Sequence, residues 1–130
     1  MKDNIILINP RELIAHERVS LSHAASMFLK MILSRRFNAP ILINAKTKTI
    51  LDGHHRCYVA NRLGLKSVPC YCVDYFIDQS VQVYSRRSGV LVDKREVIKI
   101  ALSEKVFPHK TTRHEYKIPN FKPFMLRELK

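Results

Sequence analysis

The five consecutive residues from Asp52 to Arg56, Asp-Gly-His-His-Arg, combine residue types that can bind phosphate. Gly53 allows a sharp turn that other residues adopt only at a cost. His54, His55 and Arg56 then supply clustered cationic donors in the first turn of a predicted helix, where free backbone N–H groups and the helix dipole favour an anion. Asp52 adds the hard oxygen ligand that a phosphate-bound Mg²⁺ prefers. The segment predicts a phosphate site, and the competing interpretation is an ordinary turn at a helix start.

The pair His16 and Glu17 is a second candidate, at the end of a short helical stretch that Pro10 is predicted to start at Arg11. If the fold brings the pair to the phosphate-binding turn, the Glu17 carboxylate could act as a general base toward an acceptor hydroxyl. The competing interpretation is a solvated carboxylate on the protein surface.

The run Lys110-Thr111-Thr112-Arg113-His114 is the third candidate. It places two hydroxyls, two fixed cations and an imidazole at five successive positions. Such a segment could hold a carboxylate or a phosphate, since an arginine can bind either group through two parallel hydrogen bonds. The competing interpretation is a basic, solvated tail.

Composition limits the classes of protein that the chain can represent. Its 130 residues, 46% of them hydrophobic, predict one globular domain. The 23 Lys and Arg against 11 Asp and Glu give a net charge of +12, which favours a nucleotide, a phosphorylated substrate or a nucleic acid as partner. No apolar run suits a membrane span or a signal peptide, so we expect a cytoplasmic protein without a membrane partner. The three cysteines lack zinc-ligand spacing and are predicted to lie in or near the core.

The hydrophobic pattern predicts alternating strands and helices. Strands are predicted over 5–8, 41–43, 49–51, 68–75 and 81–84. Helices are predicted after an N-cap at Ser20 or Ser22, over 55–63 with Gly64 as C-cap, and after an N-cap at Asp93. The first of these helices has a predicted apolar face of Ala24, Phe28, Met31 and Ile32.

Residues 5–75 resemble the ParB/sulfiredoxin fold. The resemblance rests on a strand, turn, strand and helix over 41–64 and on Gly53, Arg56 and Ala60. These three residues match the Gly-x-x-Arg helix start of that fold, in which an alanine follows four residues after the arginine. The resemblance implies an α+β fold class, a mixed β-sheet flanked by helices.

The same resemblance implies a single domain with two parts. The core with the phosphate-binding turn is expected in 1–75, and a substrate-side strand, a helix and a tail in 76–130. The segment 107–130 contains three prolines and no clear periodicity, so we predict an extended C-terminal tail over the surface.

Two branches of the superfamily match the chain incompletely. Sulfiredoxins place a reactive cysteine between the glycine and the histidine of the signature, whereas here His54 follows Gly53 directly and Cys57 comes after the arginine. ParB proteins bind CTP and DNA and carry a helix-turn-helix domain downstream. Beyond residue 75 this chain has one short predicted helix and a proline-containing tail.

A third branch, the free L-serine kinases, is the best match. Its motifs occur here in the same order and span most of the chain: His16-Glu17, Asp52 to Arg56, Val73-Asp74-Tyr75, and Phe107 to His114. Members of this branch are often longer, so this chain would be a compact version.

The resemblance implies a kinase that transfers a phosphoryl group from ATP or ADP to free L-serine to give O-phospho-L-serine. Glu17 would be the general base, the turn from Gly53 to Arg56 would hold the nucleotide phosphates, and Asp52 would lie near Mg²⁺. The implied substrate-binding residues are Lys110, Thr112, Arg113 and His114. Phosphoryl transfer mainly needs alignment and charge neutralisation, which suits these residue types. The alternative is a ParB-type module that binds nucleotide and DNA without kinase activity, with nucleic acid as the partner.

Overall fold

The computed structural model describes residues 5–85, 93–103, 112–116 and 121–130. The strands are β1 (Ile5–Ile8), β2 (Arg36–Phe37), β3 (Ile41–Asn44), β4 (Ile50–Asp52), β5 (Val68–Val73), β6 (Gln82–Ser85), β7 (Thr112–Glu115) and β8 (Phe124–Met125). The helices are α1 (Leu21–Ser34), α2 (His54–Arg62) and α3 (Lys94–Leu102), with 3₁₀ turns at Pro10–Glu12 and Leu126–Glu128. Within the described ranges, no helix has the length and apolar character needed to cross a membrane.

A four-stranded mixed sheet forms the centre of the fold, in the order β1-β5-β3-β4. β3 and β5 run parallel, whereas β1 is antiparallel to β5 and β4 is antiparallel to β3. All four residues of β3 are buried, as expected for an inner strand that is covered on both faces. β2 with β8, and β6 with β7, form two further two-stranded sheets. The predicted α+β class, a mixed sheet flanked by helices, is confirmed.

Helix α1 begins where the sequence predicts and buries a narrower face than predicted. The Ser20 side chain caps it by accepting a hydrogen bond from a backbone N–H of the first turn. Ala24 and Met31 are buried, but Phe28 and Ile32, which were predicted on the same face, are exposed. The helix packs on α2, and its buried face is limited to Ala24 and Met31.

Buried apolar side chains form two clusters, one on each face of the central sheet. Ile41 and Ile43 belong to the first and Leu42 to the second, because successive side chains of a strand point to opposite faces. Helices α1 and α2 cover the first cluster, and α3 contributes Val97 and Ile98 to the second.

The cysteines lie in or near the core, as predicted. Cys57 and Cys70 are buried, and Cys72 packs against the first cluster. Burial raises the pKa of the Cys57 thiol to about 11 and raises that of Cys70 further. Both buried thiols are therefore protonated and chemically quiet at neutral pH.

The described parts of the C-terminal segment are extended, yet they do not lie only on the surface. Leu126 and Leu129 are buried in the first cluster, and β8 pairs with β2. The carbonyl of Leu129 accepts hydrogen bonds from the backbone N–H groups of Lys66 and Ser67. The prediction of a surface tail missed this packing, because two isolated leucines produce no periodic signal.

Strand β7 brings part of the third sequence motif to the centre of the molecule. It pairs with β6 in a register that sets Thr112 opposite Ser85 and His114 opposite Val83. β7 also lies beside β4. The motif residues on β7 are therefore adjacent to the turn between β4 and α2.

Candidate active site

One cleft of about 330 Å³ collects the candidate residues from separate parts of the chain. Its lining comes from the segment before α1, the start of α1, the β4–α2 turn and β7. The lining residues are Glu17, Arg18, His23, Met27, Leu51, Asp52, Gly53, His54, His55, Arg56, Thr112, Arg113 and His114. Every predicted site residue that the structure describes is in this set, whereas Lys110 and its neighbour Thr111 lie outside the described residues.

The turn before α2 requires a glycine for two reasons. Gly53 has a φ of +108°, which side-chain-bearing residues rarely adopt. A Cβ at this position would lie 2.9 Å from Nη2 of Arg56 and 3.2 Å from Cγ1 of Ile41. The turn is therefore both tight and left-handed, and it leaves the first N–H groups of α2 at the cleft.

The two histidines of the turn accept hydrogen bonds from the backbone. Nε2 of His54 accepts from the backbone N–H of His16 at 3.2 Å, and Nε2 of His55 accepts from that of Ser20 at 2.9 Å. Burial, with a smaller contribution from the charge of His16, holds the pKa of His54 well below its ordinary 6.5. His54 is thus neutral near pH 7, so the expectation that it is a cationic donor is not met, and Arg56 is the fixed cation of the turn.

Arg56 and Asp52 are held by neighbouring groups. Nη2 of Arg56 donates to the carbonyl of Pro40 at 2.9 Å and lies 3.8 Å from Oδ2 of Asp52. The same Asp52 oxygen accepts from the hydroxyl of Tyr116 at 2.8 Å. Burial, followed by the charge of Asp52, raises the pKa of Tyr116, which therefore stays protonated and donates.

Asp52 suits a metal ion that is held mainly by a phosphorylated ligand. The described residues include no group of three or more His, Cys, Asp or Glu side chains that could hold a metal by themselves. A single carboxylate beside a phosphate site is a common arrangement for Mg²⁺, which retains several waters and takes further oxygens from phosphates. The residues present therefore fit Mg²⁺ brought by a nucleotide and do not form a separate metal cage.

Glu17 is buried, so the competing interpretation of a solvated carboxylate on the protein surface is wrong. Only 9% of its surface is exposed, and its Oε2 accepts a hydrogen bond from Oγ1 of Thr112 at 3.0 Å. His16 beside it is fully buried, with Nδ1 2.7 Å from the carbonyl of Ile50 and Nε2 2.8 Å from Oγ1 of Thr112. Burial lowers the pKa of His16 to about 4. A carboxylate held in this way at a cleft is a candidate general base.

The β7 residues face the same cleft with different contacts. Nε2 of His114 lies 2.8 Å from the hydroxyl of Tyr75, and burial lowers the pKa of His114 to about 3. The guanidinium of Arg113 lies 4.9 Å from the ring centroid of Tyr84 and pairs with Glu115. Arg113 is thus the charged member of the described part of this motif.

Four lining residues were not among the sequence candidates: Arg18, His23, Met27 and Leu51. His23 lies at the N-terminal end of α1, and its ring centroid is 4.5 Å from that of His55. The position of His23 three residues after the Ser20 cap is a local signal that could have identified it. Tyr116, which orients Asp52, was also missed, because its contact spans 64 residues of chain.

Comparison with known proteins gives sequence relatives of two kinds, and no protein-family model matches the chain. A ParB-like protein of Sulfolobus acidocaldarius is 35% identical over 72 residues, which cover 55% of this chain and 36% of the relative. An ATP-dependent L-serine kinase of Desulfurococcus mucosus is 28% identical over 100 residues, which cover 74% of this chain and 39% of the relative. The matched stretches therefore span less than half the length of these curated relatives.

Solved structures share the whole fold. A conserved hypothetical protein from Pyrococcus furiosus superposes with a TM-score of 0.87 at 17% identity, covering 100% of this chain and 99% of the other. A free serine kinase in complex with AMP gives a TM-score of 0.83 at 17% identity, with 100% and 95% covered, and a variant with ADP gives 0.81. The fold is that of these proteins, and the relatives are the free serine kinases and ParB-like proteins that the sequence motifs resemble.

Proposed function

We propose that this protein is a free L-serine kinase, which transfers a phosphoryl group from ATP or ADP to the serine hydroxyl and yields O-phospho-L-serine. One observation carries the proposal: a single cleft is lined by a buried carboxylate, a helix N-terminus with an arginine, and the β7 motif. Its similarity to the Desulfurococcus kinase and its fold, shared with nucleotide-bound kinase structures, support the same function.

The turn from Gly53 to Arg56 would hold the nucleotide phosphates. The first N–H groups of α2 and the positive end of its dipole favour phosphate oxygens, and Arg56 adds a fixed positive charge. His54 and His55 can add hydrogen bonds to the phosphates. His54 is neutral and adds no charge. Mg²⁺ beside Asp52 would neutralise charge on the phosphates when nucleotide is bound.

The β7 side of the cleft would hold the amino acid. Arg113 can pair with the serine carboxylate, while Lys110, Thr112 and His114 complete the proposed substrate-binding set. The serine hydroxyl would then point toward Glu17. The carboxylate and the hydroxyl of the serine would then both be fixed, which aligns the hydroxyl oxygen with the phosphorus.

Glu17 would take the proton of the serine hydroxyl during transfer. The hydroxyl oxygen forms a new bond to the terminal phosphorus, and the bond from that phosphorus to the bridging oxygen breaks. The electron pair of the broken bond leaves with the nucleotide, as ADP from ATP or as AMP from ADP. A hydroxyl is a weak nucleophile, so a positioned carboxylate assists this step.

A mass-spectrometric assay for O-phosphoserine tests the proposal. Purified protein is incubated with L-serine and Mg²⁺ and with either ATP or ADP, and Glu17→Gln is run in parallel to exclude a contaminating kinase. We expect product with at least one nucleotide in the wild type and a large loss in the variant. Folded protein that binds nucleotide but forms no product with either donor would overturn the proposal and leave the ParB-type module.

The ParB-type alternative draws on a separate observation, the net charge of +12 together with the ParB-like relative. A protein that neutralises several DNA phosphates shows a steep fall of affinity with salt. Titration of a DNA duplex at increasing salt concentration tests this alternative. Binding that is absent at moderate salt would exclude it.

A further inference from the structure

The hydroxyl of Thr112 lies between two hydrogen-bond acceptors. Its Oγ1 is 3.0 Å from Oε2 of Glu17 and 2.8 Å from Nε2 of His16. Nδ1 of His16 is 2.7 Å from the carbonyl of Ile50, which can only accept, so Nδ1 carries the ring proton. Nε2 of the neutral ring is consequently an acceptor. Burial favours this neutral form, since it lowers the pKa of His16 to about 4.

One hydroxyl proton cannot serve both acceptors at once. When Glu17 is ionised, Thr112 donates to the carboxylate and cannot donate to Nε2 of His16 at the same time. When Glu17 is protonated, its O–H can donate to Oγ1, and the Thr112 proton can turn to His16. Protonation of Glu17 thus frees the Thr112 proton for His16 while Oγ1 keeps its contact with Glu17, which favours the protonated carboxyl group.

We propose that His16 and Thr112 form a hydrogen-bond switch that stabilises protonated Glu17 and so enables it to accept the proton of the substrate hydroxyl. This inference rests on the proposed kinase function. In the switch both residues act through Glu17 and are positioning residues, a role that Thr112 has in addition to its proposed contact with the substrate. A chain separation of 96 residues between His16 and Thr112 means that the switch exists only when β7 is in place.

The switch balances without a further reactant. The substrate hydroxyl loses its proton to Glu17, and the new O–H of Glu17 donates a hydrogen bond to Oγ1 of Thr112. The hydroxyl of Thr112 keeps its own proton and turns it toward Nε2 of His16. When the product departs, Glu17 returns its proton to solvent and Thr112 turns back. His16 stays neutral throughout, as its burial requires.

Other charged and titratable groups face Glu17 across the cleft and must be held constant in a test. They are Arg18 beside it, His23 at the start of α1, Asp52, His54, His55 and Arg56 around the β4–α2 turn, and Arg113 and His114 on β7. A pair of substitutions at position 16 retains all of these residues, and because both variants remove the imidazole, the loss of its contacts with His54 and His114 is common to the two.

The matched pair is His16→Asn and His16→Gln. An asparagine can still donate to the Ile50 carbonyl but has no group at the position of Nε2, whereas a glutamine can place its amide oxygen there. The Glu17 pKa is measured by carbon-13 NMR of labelled glutamate side chains, with Glu17→Gln for assignment. The acid limb of the pH profile of kcat/KM reports the same group during catalysis.

We expect His16→Asn to lower the Glu17 pKa and to move the acid limb to lower pH by about one unit, the equivalent of one hydrogen bond. His16→Gln should leave the limb close to its wild-type position. An unchanged or raised Glu17 pKa in His16→Asn, or equal shifts in both variants, would overturn the switch. If the wild type forms no O-phosphoserine, the kinase proposal fails, while the NMR comparison still decides the switch.

A second pair applies if His16→Asn does not fold. Thr112→Ser keeps the hydroxyl and Thr112→Val removes it. Nitrogen-15 NMR of His16 should show an Nε2 shift that follows Glu17 titration in the serine variant and not in the valine variant. An Nε2 shift that persists in Thr112→Val would contradict the proposal.

Discussion

Nε2 of His54 accepts a hydrogen bond from the backbone N–H of His16, which joins the phosphate-binding turn to the segment that carries Glu17. The ring centroids of the two histidines are 4.6 Å apart. The two histidines are 38 residues apart in the chain, and their contact holds the proposed phosphate site and the proposed base at a fixed separation. Phosphoryl transfer depends on this kind of alignment more than on any single reactive group.

Replacing His54 should therefore destabilise the protein. In His54→Ala the N–H of His16 loses its partner in the interior, which costs about 1–3 kcal/mol of unfolding free energy. His54→Gln can place its amide oxygen at the position of Nε2 and should retain most of the stability. Urea unfolding of both variants measures the difference, and equal stabilities would show that the hydrogen bond contributes nothing.

Gly53→Ala should weaken nucleotide binding by more than about tenfold, because the new Cβ meets the guanidinium of Arg56 and the backbone is left-handed. Gly64→Ala is the matched control. Gly64 is also left-handed, at a φ of +71°, but an added Cβ there meets no atom of the described residues within 4 Å. The control should lose about 1 kcal/mol of stability and keep its nucleotide affinity. Calorimetric titration with ADP distinguishes the two, and equal affinities would remove the steric argument.

The parts of the fold and site that local sequence could predict are those made by neighbouring residues. The turn at Gly53, the cap at Ser20 and the capping spacing from Asp93 to Glu96 are all local, and the structure contains each of them. The contacts of Thr112 depend on the pairing of β6 with β7, so no local pattern contains them. The charge of His54 could not be predicted from the sequence pattern either, because its neutrality arises from burial that only the folded chain creates.

Glu17→Gln should lower kcat by about 10²–10⁴-fold, the usual contribution of a general base. Glutamine keeps the size of the side chain and can accept from Thr112 through its oxygen, but it cannot take a proton. Affinity for ADP should change little. Glu12→Gln is the matched control, since Glu12 is exposed and pairs only with Lys48 in the described structure. A kcat close to that of the wild type in Glu17→Gln would remove Glu17 from the mechanism.

The buried histidines should make the protein unstable in mild acid. Burial lowers the pKa of His16 to about 4 and that of His114 to about 3, and it holds the pKa of His54 well below 6.5. Below pH 6.5 the unfolded chain binds protons that the folded protein excludes, so the unfolding free energy falls with pH until each folded-state pKa is reached. Each histidine contributes a slope of about 1.4 kcal/mol per pH unit within its window.

Urea unfolding between pH 7.5 and 4.5 measures this slope. His16→Gln should reduce the slope by about one proton, that is about 1.4 kcal/mol per pH unit, because one excluded proton is lost. His23→Asn serves as the control for the removal of an imidazole, since the His23 side chain is exposed. Equal slopes in His16→Gln and the wild type would mean that the fold does not hold His16 neutral. Nε2 of His16 would then not be available as the acceptor on which the hydrogen-bond switch at Thr112 depends.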